Sequence, residues 1–360
     1  MHPNPRILVV GGGASGLALA LACALKGISV RIIDKRPART LIQKATGVAQ
    51  GVWHQLAPYG ITAAVITDAH PMRNFVFHDD DHLVANVSVP LVNGEPPAHL
   101  YPQANLEAAM EKALLSFGVA VEYGTAFKSV EQTSEQARVT LAHQNSELEV
   151  TEVDWLIGAD GIQSEVRASI GMLFVGRDYP EQWSVAEIST KQWPENIQAQ
   201  LFLSSDGVGL FLSQPSNGVI QGILNSANVA HEMKKHFIDA TIHYERLFKV
   251  SLKRVPTPRM GRVWLIGDAA HVQSPVGGQG LNLAIWDGIT LGKALSGGDL
   301  GVERKLILRA KRVLFFTDFD YRMLATRSRI VQKLRNMYWS LSAKNPFIAH
   351  WFFRLISGVW

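Results

Sequence analysis

The strongest constraint on this chain lies in its first 34 residues. Arg6-Ile7-Leu8-Val9-Val10 is a short apolar run of the kind found in strands buried on both faces. Gly11-Gly12-Gly13-Ala14-Ser15-Gly16 follows at once and supplies the pattern G-x-G-x-x-G. Leu17 to Lys26 holds good helix formers, and Gly27 ends that run. Ile28-Ser29-Val30-Arg31-Ile32-Ile33 reads as a second strand closing on Asp34, 23 residues after Gly11 (34 − 11). Each part has a physical task. Gly11 permits a tight turn, Gly13 lets the backbone approach a pyrophosphate, and Gly16 lets the helix pack on the strand. The helix start at Ala14 and Ser15 offers free N–H groups and a partial positive charge to phosphates. Asp34 accepts hydrogen bonds from ribose hydroxyls, with Lys35 and Arg36 beside it. A lone glycine motif is weak evidence. The strand before it, the helix after it and the acid at this distance make it a dinucleotide site.

The same stretch misleads a hydropathy reading. Ile7 to Leu25 runs 19 residues without a charge behind Arg6, as a signal peptide or membrane helix would. Gly11, Gly12, Gly13 and Gly16 divide it into strand, turn and helix, and no other segment is long and apolar enough to span a bilayer. With 47% hydrophobic and 18% charged residues, the 360-residue chain is globular rather than disordered, collagen-like or coiled-coil. Its length allows two or three domains. A single cysteine, Cys23, excludes an internal disulfide and a thiolate cluster, and is compatible with a reducing compartment.

Two more motifs share the strand-then-turn design. Asp154-Trp155-Leu156-Ile157-Gly158-Ala159-Asp160-Gly161 is an apolar strand entering a Gly-Asp-Gly turn, with Ser164 placed to cap the helix that follows. Gly261-Arg262-Val263-Trp264-Leu265-Ile266-Gly267-Asp268 repeats the pattern. It continues past His271 and Pro275 through Gly277-Gly278-Gln279 into a helix beginning near Gly280.

These ordered motifs resemble the single-component, class A FAD-dependent aromatic hydroxylases related to p-hydroxybenzoate hydroxylase and to the ubiquinone-biosynthesis hydroxylases. Weaker matches lie at Gly47-Val48 through Gly60-Ile61 and at Tyr101-Pro102-Gln103 with Leu106-Glu107. The resemblance covers about residues 5–300. It implies an α/β fold with a Rossmann-type FAD-binding domain containing a βαβ unit. A substrate domain with a mostly antiparallel sheet and a C-terminal helical segment complete that fold. The expected division is 1–70, 100–170 and 255–300 for FAD, 71–99 and 171–254 for substrate, and 301–360 for the helical segment. Asp34 would bind the adenosine ribose, and Asp268, after Gly267, the ribityl or pyrophosphate part. Asp160, with Gly161, is associated in the family with both FAD and the nicotinamide cofactor, and Gln103 with the flavin. The backbone of Gly280, Leu281 and Asn282 would face the flavin pyrimidine edge, where helix N–H groups stabilise the negative charge of reduction. Pro275 and Gly278 would wall the catalytic cavity. The chain departs from the family at Gln163, where an Arg is usual, and at Lys44, where many members carry an Arg that contacts in bidentate fashion.

The activity implied is a monooxygenase. By that resemblance, NADH or NADPH would reduce FAD, O₂ would form the flavin C4a-hydroperoxide, and one oxygen atom would pass to an aromatic or other electron-rich, lipid-soluble substrate. The alternatives are an FAD-dependent reductase or dehydrogenase on the same fold and a non-catalytic flavin-binding partner subunit. No acid or base is assignable, because no residue in 171–254 has a distinguishing spacing. Strand-like runs in that region place Phe202, Phe211, Trp183 and Trp193 either around an aromatic pocket or in ordinary sheet core. The run His78-Asp79-Asp80-Asp81-His82 sits between strands, as a hairpin loop rather than a metal site. No nucleophile elbow, P-loop, zinc-finger spacing or internal repeat occurs.

The charge is uneven. The chain carries 35 Lys and Arg against 31 Asp and Glu, a net of +4, whereas residues 302–360 hold 12 against 3, a net of +9. The final stretch, Met337 to Trp360, has no acid and many aromatics. Three readings are open: a solvated basic helix face with the aromatics packed on the body, a homodimer contact, or a peripheral contact with an acidic membrane. Nucleic acid is not expected as a partner, and the expected location is cytoplasmic, with or without membrane contact.

Overall fold

Ile7–Val10 lies in the interior of a six-stranded sheet, which is why four consecutive apolar residues are tolerated there. The computed structural model describes residues 6–40, 45–80, 82–204, 207–214, 218–297 and 301–358. The sheet runs Arg259–Met260, Val263–Leu265, Trp155–Gly158, Ile7–Val10, Val30–Asp34, Val121–Tyr123. All its neighbours are parallel except the first pair. The strands of the three motifs are thus adjacent, and their glycine turns leave the sheet side by side at its carboxyl edge. That edge is where open α/β sheets hold ligands.

The helix Ala14–Ala24 explains the misleading apolar run. Residues 14–23 are all buried, so the helix is hydrophobic on every side because protein surrounds it, not lipid. Its closest neighbour is Gln279–Gly297, and the packing leaves no room for side chains at the crossing. A Cβ at Gly288 would lie 2.4 Å from the Ser15 carbonyl oxygen, and one at Gly292 would lie 2.6 Å from Ala22 Cβ. Among the described residues no helix is long and apolar enough to cross a membrane.

An eight-stranded sheet forms the second layer, in the order His271–Val272, Thr241–Arg254, Val175–Ser189, Val219–Leu224, Gly207–Ser213, Ala199–Ser204, Asn74–Asp79, His82–Ser88. It is antiparallel apart from the pairing of Ala199–Ser204 with Asn74–Asp79. A three-stranded sheet of Leu148–Val153, Ala137–Ala142 and Ala126–Gln132 packs on the motif strands. A second one, of Gly47–Ala49, Ala98–Leu100 and His70–Pro71, completes the strand set.

The segment 71–88 supplies two strands joined by a turn, as the sequence suggests. His78 Nε2 contacts Gln200 Oε1 at 3.0 Å and its ring stacks on Phe202, while Asp79 accepts from Arg335 and Asn336. Asp81 lies outside the described residues. Among the described residues no three His, Cys, Asp or Glu side chains converge as metal ligands would.

The C-terminal part folds as three helices, Val302–Leu324, Arg329–Lys344 and Pro346–Ile356. Most of its aromatics turn inward. Trp339 stacks on Phe77 with ring centroids 3.8 Å apart, and Phe353 is fully buried near Phe75. Phe347 and Trp351 remain 83% and 66% exposed.

The helix crossing sets the first expected outcome. Gly288→Ala forces a methyl group onto the Ser15 carbonyl and costs about 1–3 kcal/mol by overpacking. Urea unfolding of both proteins measures it as a lower midpoint with an unchanged slope.

Candidate functional site

One cavity of about 940 Å³ runs from the carboxyl edge of the parallel sheet to the face of the eight-stranded sheet. Gly11, Gly13, Ala14, Ser15, Asp34, Lys35, Arg36, Asp160 and Gly161 line one end. Gln103, Asp268, Pro275, Gly278, Gly280, Leu281 and Asn282 line its walls further along. Gly16 and Gly267 stand behind the wall, against Gly11 and Ser15 respectively. Lys44 lies outside the described residues. The three motifs, far apart in sequence, therefore open into a single space.

The glycines at the narrow end are required by contact. Gly11 has φ +115°, and a Cβ there would sit 2.3 Å from the Ala159 carbonyl oxygen in the neighbouring motif. A Cβ at Gly16 would sit 2.0 Å from the Gly11 carbonyl oxygen, so the helix presses directly on the turn. At Gly13 a Cβ would meet nothing closer than Glu107 Oε1, 4.0 Å away, which leaves the backbone approachable from the cavity.

Asp34 is buried at the end of its strand and accepts from the Gly12 N–H at 2.8 Å. Arg36 takes the remaining positions: its backbone N–H at 2.9 Å, Nε at 2.9 Å and Nη2 at 2.6 Å. Burial alone would raise the Asp34 carboxyl. The Arg36 side chain and the two backbone donors outweigh it and hold the group below its usual range. A carboxylate offers about four acceptor positions, and these four donors fill them. A ribose hydroxyl reaches Asp34 only by displacing part of Arg36.

Glu107, noted in the sequence only within the Leu106-Glu107 match, takes a definite place at this end. It is buried on the helix Gln103–Ser116 and accepts from the Ala14 N–H at 3.1 Å and from Gln103 Nε2 at 2.8 Å. The i, i+4 spacing of Gln103 and Glu107 puts the two on one helical face, but it does not encode the reach to Ala14. Glu107 satisfies one of the free N–H groups at the start of Ala14–Ala24.

The second motif is held by its own acid. Asp160 Oδ2 accepts from the N–H groups of Glu165 at 2.8 Å and Val166 at 3.1 Å, and Ser164 Oγ accepts from the Arg167 N–H at 2.9 Å, as its capping position suggests. Burial raises the Asp160 carboxyl above its usual value despite these bonds. Its second oxygen, Oδ1, is buried with no hydrogen-bond partner among the described residues, in a residue that lines the cavity. Gln163 is exposed. The charged tie comes instead from Arg167, which donates to the Ala269 carbonyl at 3.0 Å and the Ile162 carbonyl at 2.7 Å, and stacks over Phe174. It links the second motif to the third.

The third motif is braced from behind. Asp287 Oδ2 accepts from the Gly267 N–H at 3.2 Å and meets His271 Nε2 at 2.5 Å, both side chains being buried. Burial lowers the His271 proton affinity, but the Asp287 charge prevails and raises it. Asp268 is exposed to the cavity. Asn282 acts through its side chain: it accepts from the Ala49 N–H at 2.8 Å and donates to Gly278 at 2.7 Å and Gly47 at 3.2 Å. It clamps the Gly-rich loop to the strand Gly47–Ala49.

Beyond this loop the cavity becomes apolar, with Met72, Phe75, Phe77, Trp183, Leu201, Leu212, Phe248, Trp339 and Phe352 in its walls. Of the aromatics singled out in sequence, only Trp183 lines it. Phe202 and Phe211 are sheet core under the helix Val229–His236, and Trp193 packs on Phe237. Strand alternation gives the reason: Leu201, Leu210 and Leu212 face the cavity, so Phe202 and Phe211 face away.

The chain matches the model of the FAD binding domain family over residues 5–221 and 224–298. It is 24% identical over 324 residues to 6-methylpretetramide 4-monooxygenase of Streptomyces rimosus, covering 85% of this chain and 58% of that protein. It is 27% identical over 307 residues to pentachlorophenol 4-monooxygenase of Sphingobium chlorophenolicum, covering 79% of this chain and 57% of that protein. The chain thus spans less than three-fifths of both relatives. Its fold is also that of p-nitrophenol 4-monooxygenase from Pseudomonas putida DLL-E4, with a TM-score of 0.89, 17% identity and 99% of each chain covered.

The buried His271–Asp287 pair has a pH signature. Because the folded His271 binds its proton more tightly than in the unfolded chain, the pair stabilises below the unfolded pKa and this stability is lost as pH rises through the folded value. Asp287→Asn removes the partner of a buried charge, a loss of about 3–5 kcal/mol. The stability gap between wild type and variant, from urea unfolding, is expected to be wider at pH 6 than at pH 9.

Proposed function

The chain belongs to the FAD binding domain family, and on that premise we propose that it is an FAD-dependent, NAD(P)H-consuming monooxygenase of aromatic or other electron-rich small molecules. The observation that carries this reading is the continuity of the cavity. A glycine-rich, polar end suited to a dinucleotide opens, past the Pro275–Asn282 loop, into an apolar chamber. A reductase or dehydrogenase needs no such water-free chamber for oxygen chemistry.

The residues present fit FAD. The approachable backbone at Gly13 and those N–H groups at the start of Ala14–Ala24 that Glu107 leaves free would receive the pyrophosphate. Asp34 and Arg36 would hold the adenosine end, with Lys35 at its rim. The unpartnered Asp160 Oδ1 asks for a donor from the cavity, which a hydroxyl of the cofactor supplies. Asp268 would serve the same stretch, with Gln103 and Gly161 lining it. The start of Gln279–Gly297, at Gly280, Leu281 and Asn282, would place its partial positive charge at the pyrimidine edge of the flavin ring. Lys44 is proposed for the flavin side as well. When bound, FAD would supply the redox chemistry between a reduced nicotinamide and O₂ that the protein's own side chains cannot perform.

The protein's part is positioning and exclusion. Pro275 and Gly278 form the wall between cofactor and chamber, held by Asn282. The aromatic and aliphatic lining keeps water from the reacting atoms and orients a flat apolar substrate. Exposed Phe347 and Trp351, amid the basic residues of 302–358, support a separate proposal of peripheral contact with an acidic membrane. Sedimentation with phosphatidylserine vesicles but not with phosphatidylcholine vesicles is expected, and equal recovery with both would sink it.

Oxygen uptake by the FAD-loaded chain with NADH or NADPH, with and without phenols, tests the main reading. Uptake stimulated by a phenol with little H₂O₂ is expected. A phenol-independent rate with bound FAD would point to a reductase or a partner subunit. Asp160→Ala is expected to weaken FAD binding about 10–100-fold, from loss of a hydrogen bond to a charged group, measured by flavin fluorescence.

A further inference from the structure

Asp320 lies on Val302–Leu324, beyond the stretch matched by the family model. It faces the cavity where the glycine-rich loop meets the apolar chamber. A Cβ at Gly277 would stand 3.7 Å from Asp320 Oδ2, which places the carboxyl against the loop that carries Pro275 and Gly278. Among the described residues Oδ2 is buried with no hydrogen-bond partner. A buried carboxylate oxygen without a partner is costly to keep, and such atoms call for an explanation.

Apart from the exposed Lys249, the charged groups around it are committed elsewhere. On its own helix, Asp318 takes Arg177 and the Tyr179 hydroxyl, and the Tyr321 hydroxyl accepts from Asn225. On the facing helix Arg329–Lys344, Arg335 is held by Asp79 and the Leu324 carbonyl. Tyr338 donates to the Ile348 carbonyl and is pushed above its usual range, chiefly by burial and further by the Asp320 charge, so it stays neutral. Lys249, on the strand Thr241–Arg254, also lines the cavity and is exposed. The glycine-rich loop contributes no ionisable side chain between Gln273 and Gly280.

Resting on the monooxygenase reading, we propose that Asp320 is the general base of this cavity and takes the proton from the hydroxyl of a phenolic substrate. The substrate O–H bond breaks, the proton moves to an Asp320 carboxylate oxygen, and the electron pair stays on the substrate oxygen. The ring becomes a phenolate, richer in electrons at its ortho and para carbons and more reactive toward an electrophilic oxygen. No net oxidation occurs in this step. Burial suits the task, because it pushes the Asp320 carboxyl up to about 7. A phenol titrates near 10, so desolvation narrows the gap between base and acid. The base works only when ionised, so the rate falls as pH drops through about 7.

The test uses the FAD-loaded full chain, phenol and 4-methylphenol as probes, whose hydroxyls titrate near 10 as a tyrosine's does, and NADH or NADPH as reductant. Asp320→Asn preserves shape and is expected to keep the flavin spectrum. It is expected to lose about 10²–10⁴-fold in kcat/KM for the phenol that stimulates the wild type, together with the acid limb of the pH profile. Asp320→Ala is expected to regain rate on addition of formate, which a purely structural residue does not show. An unchanged kcat/KM and pH profile in Asp320→Asn overturns the role of Asp320 alone. Absence of stimulation by either phenol in the wild type, with FAD bound, overturns the monooxygenase reading of these probes and this inference with it.

Discussion

The close crossing of Ala14–Ala24 over Gln279–Gly297 fixes everything else in the site. The first helix begins at the glycine turn of the parallel sheet, and the second begins at the glycine-rich loop that borders the apolar chamber. Gly288 and Gly292 bring the two backbones into contact. The separation of the two helix starts, the one proposed for phosphates and the one proposed for a flavin ring, is thereby set by backbone packing rather than by flexible side chains. Protein interiors pack too tightly for that separation to drift.

Around this frame, carboxylates of the same type do different work because their surroundings differ. Asp34 is saturated by Arg36 and backbone donors and stays ionised. Asp160 spends one oxygen on its own helix and leaves the other toward the cavity. Asp287 is paired with His271 and braces the third turn from outside the cavity. Asp320 has neither a cation nor a capping role, only burial. Position on the chain distinguishes none of these four; the environment does.

Much of this was legible in the sequence. The three strand-then-turn motifs announced a parallel sheet, and the structure sets their strands next to one another. The Ser164 cap, the helix near Gly280 and the antiparallel second layer were legible too, since each rests on local patterning. Long-range choices were not. Which face of a strand meets the cavity depends on what packs behind it, so Phe202 and Phe211 could not be placed from alternation alone. Glu107 reaching Ala14 across 93 positions, and Asp320 reaching the loop at Gly277, depend on helix docking that no local spacing encodes. The aromatic C-terminal run shows the same limit, because Trp339 and Phe353 turn inward while Phe347 and Trp351 do not.

The central claim is that one cavity holds both a dinucleotide and an apolar substrate, divided by the Pro275–Asn282 loop. A crystal structure of the chain with FAD and 4-methylphenol tests it most directly. The account predicts the adenosine at Asp34, the flavin ring along Gly280–Asn282, and the phenol in the chamber with its oxygen beside Asp320. A flavin ring placed elsewhere, or a phenol bound outside the chamber, would contradict it.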